Sequence, residues 1–156
     1  MPVQGIPEGY RCVTPYLIIK GAADAIAFYQ AAFGATERYR LPQPDGRVGH
    51  AELEVGGAPL MLADEFPEMN VRSPASLGGS PVSLLIYVTD VDRVFQRAID
   101  AGATVTRPLA NQFYGDRSGT VTDPFGHIWT LATRVEDVSP EEMKARFERF
   151  MSQHSK

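Results

Sequence analysis

His50 and Glu52 stand two positions apart in Val48-Gly49-His50-Ala51-Glu52-Leu53-Glu54-Val55, a run that alternates polar and apolar residues. In a strand, that spacing sends both side chains to one face. An imidazole that titrates near neutral pH beside a carboxylate is a pair suited to holding a polar ligand or to acting as acid and base. The same alternation equally describes a solvated outer face, and spacing alone does not separate the two. Phe113-Tyr114-Gly115-Asp116-Arg117 is the densest chemical segment. Gly115 lets backbone approach closely, Tyr114 can stack or donate, and the planar fork of Arg117 suits a carboxylate or phosphonate. The structural alternative there is an Asp116–Arg117 ion pair that orders the loop leading to Gly119. His50, Glu52 and Arg117 are therefore the candidates for catalysis. Asp64 and Glu65 are adjacent and point opposite ways in extended chain, so they make no catalytic carboxylate pair. His127, next to Gly126, reads as a turn-bonding residue, His154 lies in a polar tail, and Cys12 reads as a buried spectator at the start of a strand.

The elements that must position these residues follow from periodicity and turn chemistry. Val13–Ile19 is β-branched and aromatic and is stopped by Lys20-Gly21. Ala22, Ala25, Ile26, Tyr29 and Phe33 recur at three- and four-residue steps, which predicts a helix closed by Gly34. Strands are predicted at 37–41, 48–55 and 59–63, with Pro42-Gln43-Pro44-Asp45-Gly46 and Gly56-Gly57 as turns. The segment from Asp64 to Ser80 is rich in Pro and Gly, and within it 67–79 is expected to be a moving flap. The order then resumes: a strand at 82–88, a helix capped by Thr89 or Asp90 and ended by Gly102, and strands near 104–107, 119–122 and 128–133. Ser139-Pro140-Glu141-Glu142 is a capping box, opening a last helix whose stripe of Met143, Phe147, Phe150 and Met151 should pack on the body or on a second subunit.

The chain thus repeats itself. Phe33-Gly34-Ala35-Thr36 closes the first helix and Ala101-Gly102-Ala103-Thr104 the second; Gly57-Ala58-Pro59-Leu60-Met61-Leu62 lines up with Gly126-His127-Ile128-Trp129-Thr130-Leu131. The expected organisation is one domain: a first module over about 12–63, a linking loop over 64–81, a second module over about 82–134, and a C-terminal helix over about 140–152. Length fits, since 156 residues with 44% hydrophobic content can bury one core. A formal charge of -4 without a basic run argues against nucleic acid, and no apolar run approaches a membrane span. With one cysteine no internal disulfide can form, and the N-terminal residues lack an apolar export signal, so a cytoplasmic location is expected.

Several stretches together resemble a PhnB-like member of the vicinal-oxygen-chelate (glyoxalase/bleomycin resistance/dioxygenase) superfamily. They are Thr14-Pro15-Tyr16-Leu17, Ala27-Phe28-Tyr29, Asp45-Gly46-Arg47-Val48-Gly49-His50-Ala51-Glu52-Leu53, Ser76-Leu77-Gly78-Gly79, Phe113-Tyr114-Gly115-Asp116-Arg117 and Asp123-Pro124-Phe125-Gly126-His127. The resemblance implies an α+β fold: two βαβββ modules forming a curved mixed sheet around a cavity, plus the C-terminal helix. It also implies a homodimer, in some members with halves exchanged between subunits. In the superfamily's metalloenzymes, the first and fourth strands of each half each supply one ligand to a divalent cation. Here those corners fall on Thr14, Met61, Ser83 and Thr130, three hydroxyls and a thioether that are poor donors to hard or borderline ions.

The resemblance and the parity of the strands together give the expected ligand-binding set: Thr14, Tyr16, His50, Glu52, Ser83, Tyr87, Tyr114, Arg117 and Thr130. Trp129, of opposite parity to Thr130, is expected in the helix-side core. The function expected is metal-independent binding and sequestration of a small molecule, with no cofactor. The alternative is a glyoxalase-like lyase or isomerase that uses His50, Glu52 or Arg117 with a divalent metal in an unusual arrangement.

Overall fold

The computed structural model describes residues 2–155. The first half is β1 (Tyr16–Ile19), α1 (Ala22–Phe33), β2 (Thr36–Pro42), β3 (Val48–Val55) and β4 (Ala58–Asp64); its sheet has the order β1-β4-β3-β2. After a 3-10 turn (Pro67–Met69) and the short α2 (Pro74–Leu77), the second half repeats the plan. It comprises β5 (Ser83–Tyr87), α3 (Val91–Asp100), β6 (Thr104–Asn111), β7 (Asp116–Thr122) and β8 (Ile128–Arg134), in the order β5-β8-β7-β6. In each sheet the first strand runs parallel to the fourth and the other pairings are antiparallel. The C-terminal α4 (Pro140–Gln153) follows.

The repeat extends to the bonds that start the helices. Gly21, ahead of α1, has a left-handed backbone and no capping side chain, so the orphan amides of the first turn need another acceptor. Asp64 supplies it: one carboxylate oxygen accepts from the Gly21 and Ala22 amides at 3.0 and 2.9 Å, the other from Val48 at 2.6 Å. At the matching place in the second half, the Thr133 hydroxyl accepts from the Val91 amide at 3.0 Å and donates to the Val88 carbonyl at 2.7 Å. Position and task are preserved while the side chain changes.

One face of each sheet packs on its own helix. Leu17, Ile19, Leu53, Leu62 and Leu131 are buried there, each worth roughly 1.5–3 kcal/mol relative to exposure. The helices α1 and α3 also pack on each other, and rings of the first half press on rings of the second. Tyr29 and Phe33 lie 5.3 and 4.9 Å from Trp129, and Phe28 lies 6.3 Å from Phe125. Asp123 stands at this seam, taking the Tyr29 hydroxyl at 2.6 Å and the Trp129 indole at 2.9 Å on one oxygen. Its other oxygen takes the Phe125 and His127 amides. His127 donates from Nε2 to the Ile18 carbonyl at 3.0 Å, so the turn histidine joins the halves as well as closing its own turn. Trp129 is in the helix-side core, as its parity requires.

Four expectations are corrected. The first strand begins at Tyr16 rather than Val13, because Pro15 has no amide to donate and Val13 is exposed. Cys12 is exposed and outside any strand. The sixth strand runs on to Asn111, through Pro108, which an edge strand tolerates, and the seventh starts at Asp116, not Gly119. Finally, the linking segment, expected to be only partly ordered, is hydrogen-bonded structure with a 3-10 turn and α2. The buried Glu65 carboxylate accepts from the Ser73 amide at 2.9 Å and takes the Ser76 hydroxyl on both oxygens, while Arg47 lies 4.2 Å over the Phe66 ring and pairs with Glu68 at 2.9 Å. Among the described residues no helix is long and apolar enough to cross a membrane.

Candidate functional site

The face of each sheet turned away from its helix is where the chemistry collects. In the first half the register sets Tyr16 beside Met61, Met61 beside Glu52, and Glu52 beside Tyr39, a single row across all four strands. His50 lies one step along β3 on the same face, as the spacing of two dictates.

Hydrogen bonds tie this row into one cluster. Tyr39 donates to Glu52 Oε1 at 2.8 Å, His50 Nε2 lies 3.3 Å from the same oxygen, and Tyr10, from the irregular N-terminal segment, donates to Oε2. Tyr16 Oη lies 2.8 Å from His50 Nδ1. A carboxylate only accepts, so the His50 proton belongs on Nε2, and Nδ1 is left to accept from Tyr16. Burial pushes the Glu52 carboxyl up, but the hydrogen bonds from Tyr10, Tyr39 and His50 outweigh it and hold it below the ordinary carboxylate range. The tyrosines shift the other way: burial and then the Glu52 charge raise Tyr16, and the hydrogen bond to Glu52 leads the rise of Tyr39. They remain neutral donors around an anion. Glu52 is 9% exposed, whereas Tyr16 is 47% and Tyr39 45% exposed, so the carboxylate lies at the bottom of an accessible ring of aromatic side chains.

The corresponding row of the second half is Leu85, Thr130, Thr120 and Arg107. Thr120 and Thr130 share a 2.9 Å hydroxyl bond, and Arg107 donates to Ser118 at 3.2 Å. Tyr114 reaches the same hydroxyl at 3.4 Å, and Tyr87 donates to the buried Asp116 at 2.7 Å. Arg107 therefore occupies the place that Tyr39 holds in the first half, and Thr120 the place of Glu52. One open face carries the Glu52 carboxylate and the other the Arg107 guanidinium together with the buried Asp116 carboxylate.

The structure thus brings Tyr16, His50 and Glu52 together on one face and Tyr87, Tyr114 and Thr130 on the other, with Ser83 exposed at the start of β5 and Thr14 half-buried just before β1. Arg117 joins neither group. It is on the helix side of β7, with a two-pronged ion pair to Asp92 of α3 at 2.8 and 2.9 Å, and its expected role as clamp or catalyst is withdrawn. Tyr10, Tyr39 and Arg107 were not anticipated. Alternation gives no signal for Tyr39, because a bulge between Glu37 and Tyr39 breaks the period of two and turns Tyr39 towards Glu52; for Tyr10 there is none either. An apolar groove of about 250 Å³ opens at the seam, lined by Pro15, Pro59 and Leu60 of the first half and by Leu85 and Tyr87 of the second half's open face.

The four corners that would hold a divalent ion carry a half-buried Thr14, Met61, an exposed Ser83 and Thr130, whose hydroxyl is already bonded to Thr120. Their donor chemistry does not fit such an ion. Among the described residues no three His, Cys, Asp or Glu side chains converge.

Paired βαβββ halves, joined through their helices and each presenting one polar face, define the class of protein. A family model confirms it: the chain belongs to the Glyoxalase/Bleomycin resistance protein/Dioxygenase superfamily, matched over residues 12–131. An uncharacterized protein of Mycobacterium tuberculosis is 48% identical over 136 residues, covering 85% of this chain and 80% of its own length. The crystal structure of an Arabidopsis thaliana gene product shares 30% identity with a TM-score of 0.64, over 79% of this chain and 98% of that one. A PhnB protein from Bacillus cereus, also described as a putative 3-demethylubiquinone-9 3-methyltransferase, shares the fold at 21% identity and a TM-score of 0.63, over 79% and 99%.

Proposed function

We propose that this protein binds a small organic molecule on the open faces of its sheets, without a metal ion, and acts by sequestering it. The observation that carries this reading is the substitution of the four cation-holding corners by hydroxyl and thioether groups, beside a face that keeps its tyrosines, His50 and Glu52. Binding faces of this composition orient a ligand through a few polar groups and hold it by apolar and aromatic contact. The set assigned to the ligand is Tyr16, Tyr39, His50 and Glu52 on one face and Arg107, Tyr114, Ser118 and Thr130 on the other. Following the resemblance, the chain works as a homodimer, in which exposed Tyr16, Leu85 and Tyr87 gain cover. The test is elemental analysis of the purified protein after incubation with zinc, manganese or nickel salts and desalting. The expected result is no stoichiometric metal; one ion per chain, lost on mutating Met61 or Thr130, would overturn the reading.

A second reading has its own observation. Tyr16, His50 and Glu52 form a hydrogen-bonded line that ends in an exposed hydroxyl, and such a line can pass a proton between a bound substrate and His50. A lyase or isomerase would use it. Turnover that disappears in Tyr16→Phe and His50→Gln, with ligand affinity retained, would favour this enzyme over a binder.

A further inference from the structure

We infer that the open face of the first half takes a ligand carrying a positively charged nitrogen, with Glu52 as its counter-ion. This names the ligand class for the site proposed above and rests on that proposal.

The inference begins with a charge that nothing nearby cancels. Glu52 accepts from Tyr10, Tyr39 and His50, and two of these three are neutral hydroxyl donors. No Lys or Arg forms an ion pair with it among the described residues. Arg38 lies 5.6 Å from the Tyr10 ring and pairs with Glu54 at 2.5 Å, so it reaches Glu52 only through the Tyr10 hydroxyl. His50, 3.3 Å from the Glu52 carboxylate, is an ion-pair partner only when its ring carries a second proton. Hydroxyl dipoles hold the carboxylate in its charged form, yet they leave a full negative charge at a largely buried position.

The walls point the same way. Tyr16 and Tyr39 stand on either side of His50, with ring centroids 5.5 and 5.9 Å from it. Aromatic faces carry negative potential and attract a cation that sits within about 6 Å of a ring centroid. Rings around a carboxylate therefore favour an organic cation over a hydrated metal ion, which would need more oxygen donors than this row supplies. Met61, next to Glu52 in the row, adds a soft apolar floor suited to alkyl groups on nitrogen. Tyr10 is the one half-buried side chain in an otherwise exposed N-terminal segment, and its hydroxyl lies where a ligand nitrogen would sit. The incoming cation displaces that hydroxyl and leaves the other donors in place. The second half makes the contrast. Thr120 stands in the place of Glu52 and Arg107 in that of Tyr39, so the position of the carboxylate is neutral there and its neighbour is cationic.

The experiment is a titration of the 15N-labelled full chain with benzyltrimethylammonium, benzyl alcohol and benzoate, followed by amide shifts. The expected result is saturable binding of the ammonium probe, with shifts at Tyr16, Tyr39, His50 and Glu52, at least tenfold tighter than either other probe on that face. Glu52→Gln, checked for a native spectrum, should weaken the ammonium probe tenfold or more, while Glu54→Gln leaves it within twofold. Benzyl alcohol or benzoate binding the Glu52 face as well as the cation, or affinity unchanged in Glu52→Gln, would overturn the charge assignment alone. Failure of all three probes to shift either open face would overturn the small-molecule site itself.

Discussion

At Glu52 and His50, two side chains define each other's state. Because the carboxylate accepts three hydrogen bonds and cannot donate, it places the imidazole proton on Nε2 and makes Nδ1 an acceptor for Tyr16. Long-range 1H–15N spectra of the imidazole at neutral pH should show the Nε2–H tautomer, and Glu52→Gln should abolish that preference. Finding the Nδ1–H tautomer in the parent protein would mean that the Tyr16–His50–Glu52 line does not exist. A second residue prediction concerns Gly119, whose added Cβ would lie 2.6 Å from the Phe95 ring and 3.1 Å from the Arg107 carbonyl. Gly119→Ala should therefore cost about 1–3 kcal/mol of stability in urea unfolding, by overpacking. The common face of His50 and Glu52 was legible in the sequence, because a period of two needs no tertiary information. Arg117 is not legible in that way: with a strand expected only from Gly119, alternation says nothing of Asp116 and Arg117, whereas β7 starts at Asp116 and its opposite parity sends Arg117 to Asp92. Tyr10 reaches Glu52 across 42 positions from a segment without periodicity, and no local pattern announces such a contact.

Between the strands and helices, the linking segment and α4 show how single groups fix whole elements. Hydrogen bonds from Ser73 and Ser76 lower the Glu65 carboxyl from 4.5 to about 2, so the folded protein prefers it charged. A folded value below the unfolded one contributes stability that is complete above pH about 4.5 and is lost as pH falls towards 2. The difference corresponds to roughly 3 to 3.5 kcal/mol. Glu65→Gln should lower the urea midpoint at pH 7 and flatten its fall between pH 5 and 3; a variant that keeps the parent's acid slope would show that Glu65 does not hold the segment. The C-terminal helix depends on Phe113, which packs 5.9 Å from Phe147 and 5.1 Å from Phe150, and on Arg146, which donates to the Phe113 carbonyl at 3.1 Å and pairs with Glu136. Gly115 is the close approach beneath it, since a Cβ there would lie 2.4 Å from the Glu136 carbonyl. Phe113→Ala should speed hydrogen exchange across 140–153 at least tenfold without altering the sheets; unchanged exchange would place the anchor elsewhere. The capping box of this helix was legible because Ser139, Pro140 and Glu142 are local, whereas the bonds of Glu65 to Ser73 and Ser76 looked like loop chemistry until the chain had folded back.

For the molecule as a whole, the repeat raises the question of whether two similar halves are two folding units. The seam says that they are one. Asp123 belongs to the second half, yet one of its four donors is Tyr29 of the first, and the rings of Tyr29 and Phe33 rest on Trp129. The repeat itself was visible in the sequence as matched anchors 68 and 69 positions apart, but nothing in one half's pattern reveals that its buried tyrosine is capped by the other half's carboxylate. Asp123→Asn exchanges an acceptor of four hydrogen bonds for a group that presents two hydrogens to existing donors, at a buried site where unmet polar groups cost most. The loss should be about 2–4 kcal/mol, judged by the cost of breaking buried charged hydrogen-bond networks. Trp129 is the chain's single tryptophan and stands at the seam, so its fluorescence reports on the join while far-UV circular dichroism reports on both sheets. In the parent and in Asp123→Asn the two signals should fall together in one transition. If tryptophan exposure came first and the sheets melted later, the halves would be separable, and the coupling assigned to Asp123 would be incidental to the fold.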